Sequence, residues 1–147
     1  MIIDGVKQDG AHHDGANQDG GRILLVERGR EPLKGWWSLP GGVVETGERL
    51  EAAVRREVRE ETGLEIEILC LLEIFERIIR DAAGAAQYHY VLMDYLCRPA
   101  GGELCAADDA SRVAWVAEAE LGDLKITEGT PAVIAKAFLR MREEDGK

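Results

Sequence analysis

The apolar and polar positions of the first half of the chain follow strand periods and then a helix period. Residues 22–28 (RILLVER) and 35–44 (GWWSLPGGVV) are short, apolar and bounded by turn residues, which predicts two strands. Residues 48–62 carry their apolar side chains three and four positions apart, which predicts a helix. Thr46 is the expected cap of this helix and Gly63 its stop.

The second half of the chain opens with two long segments rich in β-branched and aromatic residues. Residues 64–80 and 87–98 are separated by a short turn of alanine and glycine, which predicts a hairpin. Residues 112–118 (RVAWVAE) predict a further strand, and Thr130 followed by Pro131 predicts the start of a final helix. Strands and helices interleave through short links, so we expect one α/β domain with a mixed sheet and helices on its faces.

The first twenty residues repeat an Asp-Gly pair every five positions, four times over. Asp-Gly favours tight turns, and apolar residues stop recurring after Val6, so residues 1–21 are predicted to be a flexible segment ahead of a domain at 22–147. Metal binding is the alternative, through Asp4, Asp9, Asp14, Asp19, His12 and His13. The spacing fits neither an EF-hand loop nor a nonapeptide repeat, so we assign no site there.

Composition and charge narrow the classes of partner. The net charge of -10 and the pI near 4.8 argue against a nucleic-acid binder, which needs clustered positive charge. The sequence also lacks an apolar run of the ~18 residues that a membrane span requires, and its first residues do not resemble a signal peptide. Small ligands or metal ions are therefore the expected partners.

Three cysteines, Cys70, Cys97 and Cys105, are odd in number and lack a CxxC spacing. We expect buried free thiols, a pattern typical of the reducing cytoplasm.

The segment RREVREETG (55–63) concentrates charge within the predicted helix. Glu57, Glu60 and Glu61 lie at i, i+3 and i+4, so their carboxylates share one side of the helix, together with Leu50 and Ala53 on what we expect to be its core-facing side. At an effective dielectric near 20, charges about 6 Å apart repel by roughly 3 kcal/mol per pair, so a cation must offset them. The three arginines of the segment could do part of this, and a salt-bridged helix face is the simpler alternative.

The flanks of this segment complete a longer pattern. From Gly42, five residues lead to Glu48, seven more lead to Arg56, and REVREETGL then runs to Leu64. This pattern resembles the Nudix hydrolase signature, with every defined position filled, and the preceding W-x-L-P-G-G (37–42) is similar to the strand that enters it. The later RVAWVAEAEL resembles the closing strand of that family, so the resemblance covers residues 22–138.

The resemblance implies an α/β/α sandwich with a mixed β-sheet, and it also implies a reaction. Family members cleave the diphosphate of a nucleoside diphosphate derivative with water, and they require Mg²⁺ or Mn²⁺. A bound ion would offset the repulsion among the acids, because hard cations take carboxylate oxygens as ligands. ADP-ribose-like substrates and nucleoside triphosphates are close rivals, and a catalytically silent nucleotide-binding or regulatory module is the alternative. The family also suggests a homodimer.

The resemblance also implies roles for individual residues. Glu57, Glu60 and Glu61 would face the metal, helped by the carbonyl of Gly42, and Glu57 is the first choice for the base that deprotonates water. Arg56 would pair with one of these acids or with Glu48. A further carboxylate for the metal could come from the loop ahead of the closing strand, through Asp108 or Asp109. Candidates to bind substrate phosphates are Arg28, Arg30 and Lys34. Candidates to stack on a base are Trp36 and Trp37.

One feature departs from the family. Relatives have an apolar strand immediately before the one equivalent to residues 22–28. Here only residues 1–6 could supply it, at an unusual distance along the chain.

Overall fold

The computed structural model describes residues 1–4 and 21–145, with side chains up to Glu143. Its strands and helices follow in the order β1 (Ile3–Asp4), β2 (Arg22–Arg28), β3 (Trp37–Ser38), α1 (Leu50–Thr62), β4 (Leu64–Arg80), β5 (Ala86–Gly102), β6 (Ala110–Ala117), a 3₁₀ helix (Glu118–Asp123) and α2 (Thr130–Asp145). This agrees with the predicted order of elements. The expectation of flexibility for residues 5–20 lies outside the described residues.

Strand β2 is the centre of the sheet. It pairs antiparallel with β6 along its whole length, from Arg22↔Ala117 to Arg28↔Ala110. Its other edge is shared by β1 at one end and β3 at the other, both antiparallel. Strands β4 and β5 form a long antiparallel hairpin. An isolated parallel bridge, Ile2↔Cys97, joins the hairpin to β1, and a second one joins Trp37 to Ile126, so the sheet has the mixed character that was predicted.

Alternate side chains of β2 enter two separate cores, one on each face of the sheet. Ile23 and Leu25 contribute to a core with Ile134 and other residues of α2. Leu24 contributes to a second core with Val58 of α1. The sheet is therefore covered by one helix on each face, which confirms the α/β/α sandwich and holds α1 firmly against the sheet.

The N-terminal residues supply the strand that the family resemblance required. The Leu24 nitrogen donates to the Ile2 carbonyl at 2.9 Å, and the Cys97 nitrogen donates to the Met1 carbonyl at 2.8 Å. Met1, Ile2 and Ile3 are all buried. Residues 1–4 thus belong to the folded body of the domain, although the sequence pattern assigned them to the N-terminal segment.

The entry to α1 differs from the prediction. The helix begins at Leu50 with Arg49 as its N-cap, and Arg49 makes no side-chain capping bond, so the prediction of Thr46 as the cap is wrong. The predicted strand over residues 35–44 is reduced to Trp37–Ser38, because Pro40 has no N–H for a strand ladder and the chain beyond it turns toward α1. Gly63 does end the helix, with φ 74° and its nitrogen bonded to the Arg59 carbonyl at 2.9 Å.

Two further expectations are answered by the fold. Cys97 is buried and Cys70 is partly buried, but Cys105 is exposed, so the expectation of three buried thiols is wrong for Cys105. Among the described residues, neither α-helix has the length and apolar character needed to cross a membrane.

Removal of the Ile3 side chain should test whether the first residues stabilise the domain. Ile3 is 1% exposed within the α2-side core, so Ile3→Ala should lower the free energy of unfolding by about 2–5 kcal/mol. Urea unfolding measures this change. Leu139→Ala removes a side chain of the same size from an exposed position of α2 and should change stability by less than about 1 kcal/mol. Equal effects of the two substitutions would contradict a core role for β1.

Candidate active site

The charged end of α1 lies between two loops that the backbone ties to it. On one side, residues 41–48 connect β3 to α1, and the Gly41 nitrogen donates to Glu61 Oε2 at 2.8 Å. On the other side, residues 103–109 precede β6, and the Cys105 and Ala107 nitrogens donate to the carbonyls of Thr62 and Glu61 at 2.9 and 3.1 Å. Acidic residues distant in sequence therefore gather at the C-terminal half of α1.

Arg56 makes five hydrogen bonds, and three of them hold the first of these loops to the helix. Its Nε and Nη2 donate to the two carboxylate oxygens of Glu48 at 2.8 and 3.0 Å, a bidentate pair. Its Nη1 donates to Glu57 at 2.8 Å and to Glu60 at 3.1 Å, and its Nη2 also donates to the Val43 carbonyl at 3.0 Å. The predicted pairing of Arg56 with Glu48 and the acids is confirmed.

These bonds shift the ionisation of both partners of the bidentate pair. The hydrogen bond from Arg56 lowers the pKa of Glu48 to about 2, with a further contribution from the Glu45 backbone nitrogen. The hydrogen bonds to Glu48 and then to Glu57 raise the pKa of Arg56 above its already high value. Glu48 and Arg56 therefore both stay charged at any physiological pH, which keeps their ion pair intact.

Of the three glutamates Glu57, Glu60 and Glu61, Glu61 is the one that makes no ion pair with an arginine among the described residues. Its pKa is raised to about 7, mainly by burial and also by the neighbouring carboxylates of Glu57, Asp108 and Asp109, against the opposing effect of the Gly41 nitrogen. A carboxyl group in this position has negative charge around it that the protein does not neutralise. This is the electrostatic condition that favours a bound cation.

Gly42 lies directly against the carboxylate of Glu57. A Cβ atom built at Gly42 would overlap all three carboxylate atoms of Glu57, so only glycine fits there while Glu57 keeps its position. The Glu57 side chain is 15% exposed, enclosed by Gly42 and Arg56. The signature therefore needs Gly42 for a steric reason that its sequence pattern alone does not reveal.

The second loop brings two aspartates toward Glu61. Asp108 has φ 54°, a left-handed conformation that aspartate tolerates better than most residues. The next residue, Asp109, pairs through Oδ1 with Nη1 of Arg30 at 3.0 Å, and its carbonyl accepts from the Gly29 nitrogen at 2.8 Å. A predicted metal ligand and a predicted phosphate-binding residue are thus in contact with each other.

The helix presents its acids at the border of its buried face. The deepest side chains of α1 are Ala53, Val58 and Thr62, whereas Glu60 is exposed and Glu57 and Glu61 are partly buried. The expectation that the three acids share the core-facing side with Leu50 and Ala53 is wrong for Glu60 and for Leu50, which are both exposed. Glu60 stays at the surface because of the cost of desolvating a carboxylate. Leu50 is the first residue of the helix.

The donor set suits a hard divalent cation. Six carboxylates gather around α1 and its two loops, those of Glu48, Glu57, Glu60, Glu61, Asp108 and Asp109, against the two guanidinium groups of Arg56 and Arg30. Within the described part of the chain, however, no three acidic, histidine or cysteine side chains converge closely enough to hold an ion as they stand. Glu57 and Glu60 turn to Arg56 and Glu61 turns to Gly41.

The predicted substrate-binding residues divide into two groups. Arg30 is exposed and adjoins the acidic loop. Arg28 is partly buried and donates through Nε to the Pro32 carbonyl at 3.1 Å, which shapes the loop between β2 and β3. Trp37 is 6% exposed in the α2-side core, with the Arg112 guanidinium 5.3 Å above its ring, so it does not offer a face to stack on a base. The prediction for Trp37 is wrong, because its strand position turns inward.

Comparisons with known proteins identify relatives of this chain. The NUDIX domain model matches residues 16–137. The chain is 43% identical over 103 residues to an ADP-ribose pyrophosphatase of Methanocaldococcus jannaschii, covering 70% of this chain and 55% of that protein. It is 38% identical over 109 residues to nucleoside triphosphatase NudI of Salmonella schwarzengrund, covering 69% and 75%. The chain thus spans about half the length of the archaeal relative and three quarters of the bacterial one.

The structural comparison reaches the same family. The crystal structure of a MutT NUDIX hydrolase from Burkholderia pseudomallei matches with a TM-score of 0.68 and 35% identity, covering 82% of this chain and 90% of that one. The family match extends over most of the chain and includes both loops and the acidic helix. The chain therefore belongs to the NUDIX domain family.

Proposed function

We propose that this protein is a magnesium-dependent hydrolase that cleaves a diphosphate linkage in a nucleoside diphosphate derivative by attack of water on phosphorus. The observation that carries the proposal is the carboxylate cluster on α1, in which Glu61 has a pKa raised to about 7 by burial and by neighbouring acids. A protein keeps such a costly arrangement where function requires it. The catalytically silent alternative gains no support, because Glu57, Glu60 and Glu61 are all present.

The residues that would hold the ion all offer oxygen atoms. They are the carboxylates of Glu57, Glu60, Glu61 and Asp109 together with the carbonyl of Gly42. Magnesium and manganese both prefer such donors, and Nudix hydrolases generally use divalent metals. When bound, the ion would neutralise phosphate charge and lower the pKa of a coordinated water.

The protein itself supplies the groups that position the acids and accept the proton of water. Arg56 fixes one oxygen of Glu57 at 2.8 Å, which orients the carboxylate that we assign as the base accepting the proton of water. The Gly41 nitrogen fixes one oxygen of Glu61 in the same way. Arg30 adjoins the acidic loop and supplies the positive charge that a departing phosphate group needs.

The substrate is proposed to be ADP-ribose-like or a nucleoside triphosphate, the two kinds named for the relatives. A product assay with magnesium over ADP-ribose, NADH, dinucleoside polyphosphates and the nucleoside triphosphates separates them. AMP and ribose phosphate as products would identify the first kind, and a nucleoside monophosphate with pyrophosphate would identify the second. A lack of turnover on the whole panel with either magnesium or manganese would contradict the proposal.

Neutralising either inner glutamate should abolish most activity. Glu57→Gln and Glu61→Gln should each lower kcat by at least ~10²-fold, because charge toward the metal and proton acceptance are lost while the side-chain size is kept. Steady-state kinetics on the best substrate of the panel measures this. Glu51→Gln is the matched control, since Glu51 is an exposed acid at the other end of the same helix, and it should keep full activity. Full activity in both inner variants would refute the mechanism.

Adding one carbon at Gly42 should disturb the site without unfolding the protein. In Gly42→Ala the new Cβ overlaps the Glu57 carboxylate and forces it to move, so kcat should fall by roughly 10–100-fold. Gly122→Ala is the control, because a Cβ there meets nothing within 4 Å. Kinetics and thermal melts of both variants test this. Normal turnover in Gly42→Ala would show that the close approach of Gly42 to Glu57 has no catalytic importance.

The raised pKa of Glu61 predicts a pH dependence of stability in metal-free protein. The folded state holds the proton up to about pH 7, whereas the unfolded chain releases it near 4.5, so stability is lost as pH rises between these values. Glu61→Gln lacks this loss. In urea unfolding with EDTA, the variant should therefore gain stability relative to wild type between pH 5 and pH 8.

Magnesium provides the complementary measurement at pH 8. Magnesium should stabilise the wild type more than Glu61→Gln, because an ion bound to the folded state restores the stability that the wild type loses through repulsion among its carboxylates. The same pH profile for wild type and variant, with no response to magnesium, would show that Glu61 is not the uncompensated acid of the cluster.

A further inference from the structure

The ion pair between Arg30 and Asp109 joins two residues to which the proposed function gives different ligands. Under that function, on which this inference rests, Arg30 serves the substrate phosphate and Asp109 serves the metal. Arg30 Nη1 lies 3.0 Å from Asp109 Oδ1. While this contact is made, each side chain is occupied by the other and not by its ligand.

All four acids that we assign to the metal contact a hydrogen-bond donor of the protein. The contacts are Glu57 and Glu60 with Arg56, Glu61 with the Gly41 nitrogen, and Asp109 with Arg30. No three of the described acidic side chains converge as they stand, so some of these contacts must be exchanged when an ion binds.

Among these donors, Arg30 is the one best placed to exchange a carboxylate for a phosphate. Its side chain is 74% exposed and makes one ion pair within the described residues, whereas Arg56 is 24% exposed and makes five hydrogen bonds. An exposed ion pair contributes little to stability, and a guanidinium forms bidentate pairs with phosphate as well as with carboxylate. The contact between Arg30 and Asp109 is therefore the easiest of the four to exchange.

The backbone beside the pair is fixed, so the exchange requires only rotation of side chains. Strands β2 and β6 pair as far as Arg28↔Ala110, and the Gly29 nitrogen donates to the Asp109 carbonyl at 2.8 Å. Burial and then neighbouring carboxylates, that of Asp109 among them, raise the pKa of Glu61, which places Asp109 within electrostatic reach of the other acids. A carboxylate released from Arg30 thus remains beside the cluster.

We propose that the pair of Arg30 and Asp109 couples metal binding to substrate binding. Phosphate on Arg30 frees the Asp109 carboxylate for the ion, and an ion on Asp109 frees Arg30 for phosphate. Coupling between two sites is reciprocal, so each ligand raises the affinity of the protein for the other. The ion then has its full set of carboxylates when the anionic substrate is in place, which is when phosphate charge has to be offset.

Calorimetric titration of magnesium into metal-free protein tests the metal half of the coupling. Arg30→Gln frees Asp109 and should tighten magnesium binding by about twofold to fivefold, the range for an exposed ion pair. Arg30→Lys keeps a cation beside Asp109 and should bind magnesium as wild type does. In protein that also carries Asp109→Asn, Arg30→Gln should have a smaller effect, limited to the loss of its charge.

Titration of inorganic pyrophosphate in EDTA tests the anion half, because pyrophosphate contains the diphosphate common to both kinds of substrate. Asp109→Asn frees Arg30 and should bind pyrophosphate about twofold to fivefold more tightly than the control Asp108→Asn. The control removes the same charge one residue away and leaves the pair of Arg30 and Asp109 intact. Asparagine also tolerates the left-handed φ of 54° at position 108.

Two results would overturn the coupling: an equal effect of Arg30→Gln with and without Asp109, and no gain of Asp109→Asn over Asp108→Asn, absence of measurable binding by both included. Both residues of the pair are exposed, so the variants should fold, and thermal melts check this. Magnesium that does not bind to wild type would contradict the proposed function itself and the coupling with it. Magnesium that binds to wild type but does not respond to Arg30→Gln would remove the coupling alone.

Discussion

The guanidinium of Arg56 is the interaction on which the site depends. It donates to Glu48, Glu57, Glu60 and the Val43 carbonyl, and so joins the loop before α1 to the acidic turn of that helix. A planar group with fixed donor directions holds several acceptors at once, which a lysine could not do. It contacts three acids and offsets one of their three charges, and it leaves Glu61 without such a partner. The same group therefore makes the acidic helix stable and keeps part of its charge available to a cation.

The sheet makes this arrangement possible because α1 packs firmly against one of its faces. Leu24 of β2, Val58 of α1 and Ile2 of the first residues are all fully or almost fully buried in the core beneath the helix. Burial of each such side chain contributes roughly 1.5–3 kcal/mol, which is comparable to the repulsion within one pair of these carboxylates. The acids can lie at the border of the helix because the apolar stripe beside them fixes the helix position. The repulsion among the acids therefore does not displace the helix.

Local signals in the sequence predicted the elements, and contacts between distant residues decided the rest. The α1 periodicity, Gly63 as its stop and the β4–β5 hairpin were all predicted from neighbouring residues, and the acid spacing predicted where charge gathers. The inward turn of Trp37 and the pairing of Asp109 with Arg30 depend on which chain segments meet. The Asp-Gly pattern obscured the burial of Met1 to Ile3, because their partners lie about twenty and about ninety residues away. The close approach of Gly42 to Glu57 likewise has no local signal.

The distribution of charge connects the site to the rest of the surface. If all six carboxylates of the cluster are ionised, they exceed the two arginines there by four, a large part of the net charge of -10. This excess attracts divalent cations and opposes the approach of an anionic substrate until a cation is present.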